Sequence, residues 1–288
     1  MALANKILIG WKNILTQMTL SSTLTAETAH PLANVVSQTK GLPARWDMTG
    51  QTALAIKGTS ATEFAMTGMI MKGHNLASDS TGRLRIFAGE SQTGDVVYDS
   101  DNVDGADKIH TIRPWGEMIA GYDPWGGFYD DTSNLDPVYS LAFETIKGKS
   151  FQLDLDIPTP TNNIAEIDKL ALFFAWTPDY NYEFGSPVTI EEDTEQSTTV
   201  AGGIYSVRRP CRRVLRPDFA LMGDRYRDRL MAILDERQMV GDMYVILSPT
   251  ATGFSKVQGT SIFKRVSEAS YTHLMFNGSD VPLQFREN

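Results

Sequence analysis

Residues able to do chemistry gather in two stretches of this 288-residue chain. The first, IRPWGEMIAGYDPWGGFYDD, runs from Ile112 to Asp131 and sets Trp115, Tyr122, Asp123, Trp125 and Tyr129 among glycines, prolines and acids. Aromatic faces beside carboxylates suit stacking on a sugar ring while the acids accept hydrogen bonds from its hydroxyls. The same composition also builds a long loop that packs on itself or on a neighbouring subunit. These five residues are therefore candidates for carbohydrate contact or for a subunit interface.

The second stretch, SVRRPCRRVLRP from Ser206 to Pro217, concentrates Arg208, Arg209, Arg212, Arg213 and Arg216. Nucleic acid is the sharper reading of five arginines, but the formal net charge is -9, and phosphate binding needs a basic excess. The planar guanidinium fork pairs bidentately with carboxylates, and acidic surface on a second copy would supply them. Along an extended edge, Arg208, Arg209, Arg212 and Arg213 are read as interface residues.

Other chemistries lack their motifs. No glycine-flanked serine of the nucleophile-elbow type, no phosphate-cradling loop and no histidine pair at metal-ligand spacing occurs, so neither catalysis nor a cofactor is expected. His30, His74, His110 and His273 are far apart and read as surface or capping residues. The acidic run Asp99 to Asp107 invites a calcium reading, but counting from Asp99 puts Asp104 where a helix-loop-helix site needs glycine and His110 where it needs glutamate. No metal is expected. A single cysteine, Cys211, excludes an internal disulfide framework and points to synthesis in a reducing cytoplasm. No stretch reaches the roughly 18 to 20 apolar residues of a membrane span. The run MALANKILIGWKNIL reads as a mature strand, because Lys6 interrupts it early and no small-residue cleavage site follows.

The elements that must position these residues are mostly strands. TALAIKG, FAMTGMIMKG, RLRIFAG, DVVYDS, VYSLAFETI, SFQLDLDIP and IDKLALFFAW are short apolar or alternating runs separated by turn chemistry, the rhythm of a β-sandwich. FAMTGMIMKG and RLRIFAG, joined through KGHNLASDSTG, read as paired strands, with Leu84 and Ile86 facing one way and Arg83 and Arg85 the other. Phe151, Leu153, Leu155 and Ile157 alternate with Gln152, Asp154 and Asp156, so a one-residue slip would bury the acids. The polar, acidic stretch 186–203 looks like an exposed connection or a hairpin tip and marks a boundary. Beyond it, GDRYRDRLMAILDERQMVGD places Tyr226, Leu230, Ile233 and Leu234 at helical spacing with Gly241 as a stop. Strands MYVIL, GTSIFKRV, YTHLMF and VPLQF follow, the last two joined through Asn277-Gly278. The expected organisation is a strand segment over 1–19 that pairs with the carboxy-terminal part, a β-sandwich over 20–190 and an α+β assembly domain over 191–288.

The stretch HPLANVVSQTKGLPARW, His30 to Trp46, followed by FAMTGMIMKGHNLASDSTGRLRIFAG and DVVYDS, resembles the opening of galactose-binding-like jelly-roll domains of bacteriophage tail proteins. RRVLRPDFALMGDRYRDRLMAILDERQMVGDMYVIL through VPLQFREN is similar to the closing domain of such tail or baseplate proteins. The resemblance implies a mainly β protein, a jelly-roll β-sandwich plus a smaller carboxy-terminal α+β domain with one amphipathic helix. It implies a structural component of a virion tail tip or baseplate, made in the host cytoplasm, assembling with its own copies and other tail proteins into a ring or shell and linking the tail to attachment proteins. The alternative is a carbohydrate-binding module for host surface polysaccharide. Because jelly rolls serve as scaffolds as often as receptors, the fold alone does not choose.

Overall fold

The computed structural model describes residues 5–102, 108–110, 136–183, 185–192, 195–198, 203–207, 211–251, 253–268, 270–275 and 278–288. The first strands are β1 (Leu8–Asn13), β2 (Thr19–Ser22), β3 (Ala44–Asp47), β4 (Ala53–His74), β5 (Thr81–Phe87), β6 (Val96–Asp99), β7 (Val138–Asp156) and β8 (Ile164–Trp176). Then come β9 (Val188–Glu191), β10 (Glu195–Thr198), β11 (Ile204–Val207), β12 (Arg212–Leu215), β13 (Asp218–Met222) and helix α1 (Asp224–Arg237). The chain closes with β14 (Met243–Ile246), α2 (Gly253–Gln258), β15 (Thr260–Arg265), β16 (Thr272–Met275), β17 (Gly278–Pro282) and β18 (Phe285–Glu287).

One antiparallel sheet of 13 strands runs β6-β5-β7-β4-β8-β1-β14-β15-β18-β12-β9, with β2 joined to β4 and β3 to β8. Its register follows the alternation in the sequence. Leu84, Ile86, Phe151, Leu153 and Leu155 are sealed in the main core, while Arg83 and Arg85 lie on the opposite face. The protein is a mainly β antiparallel sandwich, as the sequence predicts.

Two features depart from the sequence reading. TALAIKG and FAMTGMIMKG are one strand, β4, of 22 residues, and VYSLAFETI and SFQLDLDIP are likewise one strand, β7, of 19. Moreover β4 and β5 do not pair with each other, because β7 lies between them. The reason is a fold in the β4–β7 strand pair. Thr59 faces Ser150 and Phe64 faces Gly148, so five steps on β4 match two on β7, and a second shift follows between Met66 and Gly68. Such bulges are where strands turn a corner and pass from one sheet layer to the other. Before them β4 is flanked by β2 and β7; after them by β8 and β7. A straight β4 would hold its ends about 70 Å apart. Yet residues 75–80, which reach at most about 25 Å, bring the chain back to Thr81, opposite the same Asp156 that faces Ala53. The strand pair is therefore folded over the core.

Strand β1 is the joint of the molecule. It pairs with β8 on one side and β14 on the other. Ile9 and Trp11 enter a second core with Leu230, Ile233 and Leu234 of α1 and Phe219, Phe263 and Phe285, whereas Leu8 joins a third with Ile70, Phe173, Tyr244 and Ile262. In that third core the Phe173 ring lies over two glycines and stacks on Tyr244 at 5.4 Å. A Cβ on Gly10 would come within 2.3 Å of the ring and one on Gly68 within 2.9 Å, so neither position has room for a side chain.

Helix α1 forms where its periodicity predicts and buries Leu230, Ile233 and Leu234, but Tyr226 stays partly exposed. The turn after it is made at Gln238, with φ 52°, three residues before the expected Gly241. Of the two readings of the acidic stretch, the hairpin is the one that fits: β10 pairs antiparallel with β11, while β9 extends the sheet beside β12.

Candidate functional site

Trp115, Tyr122, Asp123, Trp125 and Tyr129 lie outside the described residues, as do Arg208 and Arg209. Arg212 sits opposite Glu191 on β9. Arg213 corrects its sequence reading. Strand β12 is no edge, since β18 and β9 flank it, and Arg213 is 0% exposed, donating to Glu287 Oε1 at 2.5 Å and to the Asp136 carbonyl at 2.9 Å. No partner subunit can reach it.

Arg213 belongs to a buried ionic seam. Lys72 Nζ lies 3.0 Å from Glu287 Oε1 and donates to the main-chain oxygen of Asn288 at 2.7 Å. Lys169 Nζ lies 3.4 Å from Asp242 Oδ2, and Ser261 donates to Glu287 Oε1 at 2.6 Å. Burial works to raise the Glu287 carboxyl, but Lys72 and Arg213 outweigh it and hold it below the usual range. These groups tie β4 and β8 to β12, β15 and β18. Being sealed from solvent, they do not meet a ligand.

The described surface offers two places within a ligand's reach. The first is the outer face of the layer formed by β6, β5, β7, β4 and β2. Register places Asp99 opposite Arg85, Arg85 opposite Gln152, Gln152 opposite Lys57 and Lys57 opposite Ser21. Five polar side chains thus form one row across five strands, about 19 Å long at the usual strand spacing. The next row carries Arg83 and Asp154. Arg83 donates from Nε and Nη2 to the two oxygens of Asp99 (2.9 and 2.6 Å), Arg85 donates to Asp154 Oδ2 at 2.6 Å, and Gln152 donates to Asp154 Oδ1 at 2.6 Å. The Arg83 fork holds the Asp99 carboxyl below its usual range. Side-chain exposures of 43% for Arg83 and 29% for Arg85 leave these groups within reach of solvent.

A short wall stands at one end of this floor. Segment Gly89–Thr93 turns through Ser91 and Gln92, whose φ values of 54° and 59° are left-handed. It is pinned by Gln92 Nε2 to the carbonyls of Gly58 and Phe151 (both 3.3 Å), by Gln92 N–H to Ser150 Oγ and by Ser91 N–H to Thr59 Oγ1 (both 2.9 Å). A flat, hydrogen-bonding floor with one fixed wall can hold a hydroxyl-rich chain without any chemical step.

The second place is a cleft of about 500 Å³ lined by Glu183, Arg216, Asp218, Ser267, Glu268 and Gln284 among others. Burial, then Asp280 and Glu183, push the Asp218 carboxyl up to about 6. Glu183, Asp218 and Glu268 face a single arginine across it, and among the described residues no aromatic platform lines it.

Two histidines that are distant in sequence meet. His74 is sealed with neither ring nitrogen partnered, its ring edge-on to His110 at 5.4 Å, while a His110 ring nitrogen lies 2.9 Å from the Leu76 carbonyl. Burial, with His110 adding to it, pushes His74 down to about 3. Among the described residues no group of three metal-ligating side chains forms, and no helix is long and apolar enough to cross a membrane.

No protein-family model matches the chain, and no curated protein does. Solved structures overlap its sandwich in part. A GH29 fucosidase of Ruminococcus gnavus in complex with fucose overlaps at a TM-score of 0.39 and 6% identity, over 57% of this chain and 27% of that one. A chitosan-binding module from a Paenibacillus chitosanase/glucanase overlaps at 0.38 and 8%, over 57% and 99%. A family 32 carbohydrate-binding module of C. perfringens in complex with galactose overlaps at 0.36 and 11%, over 58% and 99%. This chain thus spans about a quarter of the fucosidase. At these scores the overlaps establish neither family nor function here.

Proposed function

We propose that this chain is a non-catalytic carbohydrate-binding protein whose sandwich holds an extended glycan on its outer face. The observation that supports this reading is the row Asp99, Arg85, Gln152, Lys57 and Ser21, with the Gln92 wall beside it. Planar amide and guanidinium groups fixed by mutual hydrogen bonds keep their geometry and still present donors and acceptors outward. The test is a glycan array with the full chain and with the double variant Arg85→Ala/Gln152→Ala. Binding should fall severalfold or more, as expected for loss of hydrogen bonds worth about 1 kcal/mol each, while the melting temperature stays within a few degrees. A wild-type chain that binds no glycan on the array sinks the reading.

A second reading has its own support. The seam of Lys72, Lys169, Arg213, Asp242 and Glu287, together with the sheet continuing through β1, makes both halves one rigid body, as a structural component of a tail tip or baseplate requires. The resemblance of His30 to Trp46 and of the closing stretch to bacteriophage tail proteins favours the same role, with assembly partners in the virion. Incorporation into particles, measured by co-sedimentation with tail proteins of a candidate phage, tests it; a chain that assembles but binds no sugar makes this the better account.

A further inference from the structure

The outer face carries an imbalance of charge that narrows the ligand. In the two rows, Arg83 is matched by Asp99 through two hydrogen bonds, and Arg85 by Asp154. Gln152 commits its amide nitrogen to Asp154 as well, so both acids are already engaged. Lys57 remains: it has no carboxylate partner among the described residues, and it stands between Gln152 and Ser21 in the row. Its outward direction follows from its neighbour. A Cβ on Gly58 would strike the rings and methyls of Phe151 and Leu20, so Gly58 faces the core and Lys57 the other side. The pinned Gln92 side chain, bound to the Gly58 and Phe151 carbonyls, lies one residue along from both Lys57 and Gln152.

From this we infer that the glycan is acidic, with a sugar carboxylate seated over Lys57 and accepting from the hydroxyl of Ser21, while the free amide oxygen of Gln152 accepts from a neighbouring sugar hydroxyl. A strongly hydrated ammonium on a flexible stem is a point charge that a carboxylate can meet from several angles. The neighbouring arginines are less suited to that role, because each is already matched by a carboxylate, Arg83 by Asp99 and Arg85 by Asp154. A neutral sugar would leave Lys57 unpaired under the ligand, a desolvation cost that a uronic acid removes. This inference rests on the carbohydrate reading.

The experiment titrates the full chain with polygalacturonate, with neutral galactan and with dextran sulfate, measuring affinity by calorimetry. Polygalacturonate should bind about tenfold more tightly than galactan, the size of one charge-assisted hydrogen bond. Lys57→Gln should abolish the preference for polygalacturonate over galactan and leave the melting temperature unchanged. Equal affinity for polygalacturonate and galactan overturns the acidic-ligand inference and leaves the carbohydrate reading standing. Dextran sulfate binding as tightly as polygalacturonate overturns the carboxylate assignment. Binding of none of the three overturns both.

Discussion

Lys72 of β4 stands directly opposite Lys169 of β8, both nearly sealed from solvent, and each has its nearest carboxylate in the far half of the chain: Glu287 for Lys72, with Asp136 farther off at 3.6 Å, and Asp242 for Lys169. Like charges facing each other across strands are destabilising on their own. The sandwich is thus completed by acids that lie after residue 240.

Removing Glu287 should expose that dependence. Glu287→Leu strands Lys72 and Arg213 without their shared carboxylate and is expected to cost about 3 to 5 kcal/mol in urea-monitored unfolding. Adding Lys72→Met and Arg213→Met should recover most of the loss, because the cost lies in unpaired buried charge. A triple variant no more stable than the single one contradicts this.

The third core makes a steric prediction. Gly10→Ala puts a methyl against the Phe173 ring and should cost about 1 to 3 kcal/mol, the usual range for overpacking. Phe173→Leu in the same chain frees that space, so the double variant should lose less than the sum of the single ones, measured by a denaturant cycle.

Acid should destabilise the fold through His74. Its pKa is about 3 folded against an ordinary value of 6.5, so between those pH values the unfolded chain holds the extra proton. Stability from this group is therefore full above pH 6.5 and falls as pH drops, at most about 1.4 kcal/mol per pH unit. His74→Leu should flatten the acid limb of stability against pH.

Asp218 acts in the opposite sense. Its folded pKa of about 6 exceeds the ordinary 3.8, so the folded chain holds the extra proton between them, and stability falls as pH rises through that window. Asp218→Asn should stabilise the protein at pH 7 relative to pH 5 when compared with wild type, seen as a smaller pH-dependent change in melting temperature.

What the sequence shows of this fold depends on whether the signal is local. The alternation of Arg83, Leu84, Arg85 and Ile86 is a two-residue pattern, and it places each side chain on its correct face. The length of β4 is hidden because the bulges near Thr59 and Met66 break the alternation, so one strand reads as two. Arg213 reads as surface because its run of arginines is visible, whereas Glu287, which buries it, lies 74 residues away. The floor is illegible for the same reason. Asp99, Arg85, Gln152, Lys57 and Ser21 come from five separate strands, and only the register makes them a row.

The position of β1 also has a consequence in time. Leu8 is synthesised 238 positions ahead of its partner Ile246, and β18, which sits inside the sheet between β15 and β12, follows later still. Pairings so distant along the chain carry a large loop-closure cost before any contact repays it, which slows folding. On the ribosome, β1 can dock on β8 early, but its other edge stays open until the last quarter of these residues has emerged. That interval is when the nascent chain is most exposed to edge-to-edge aggregation.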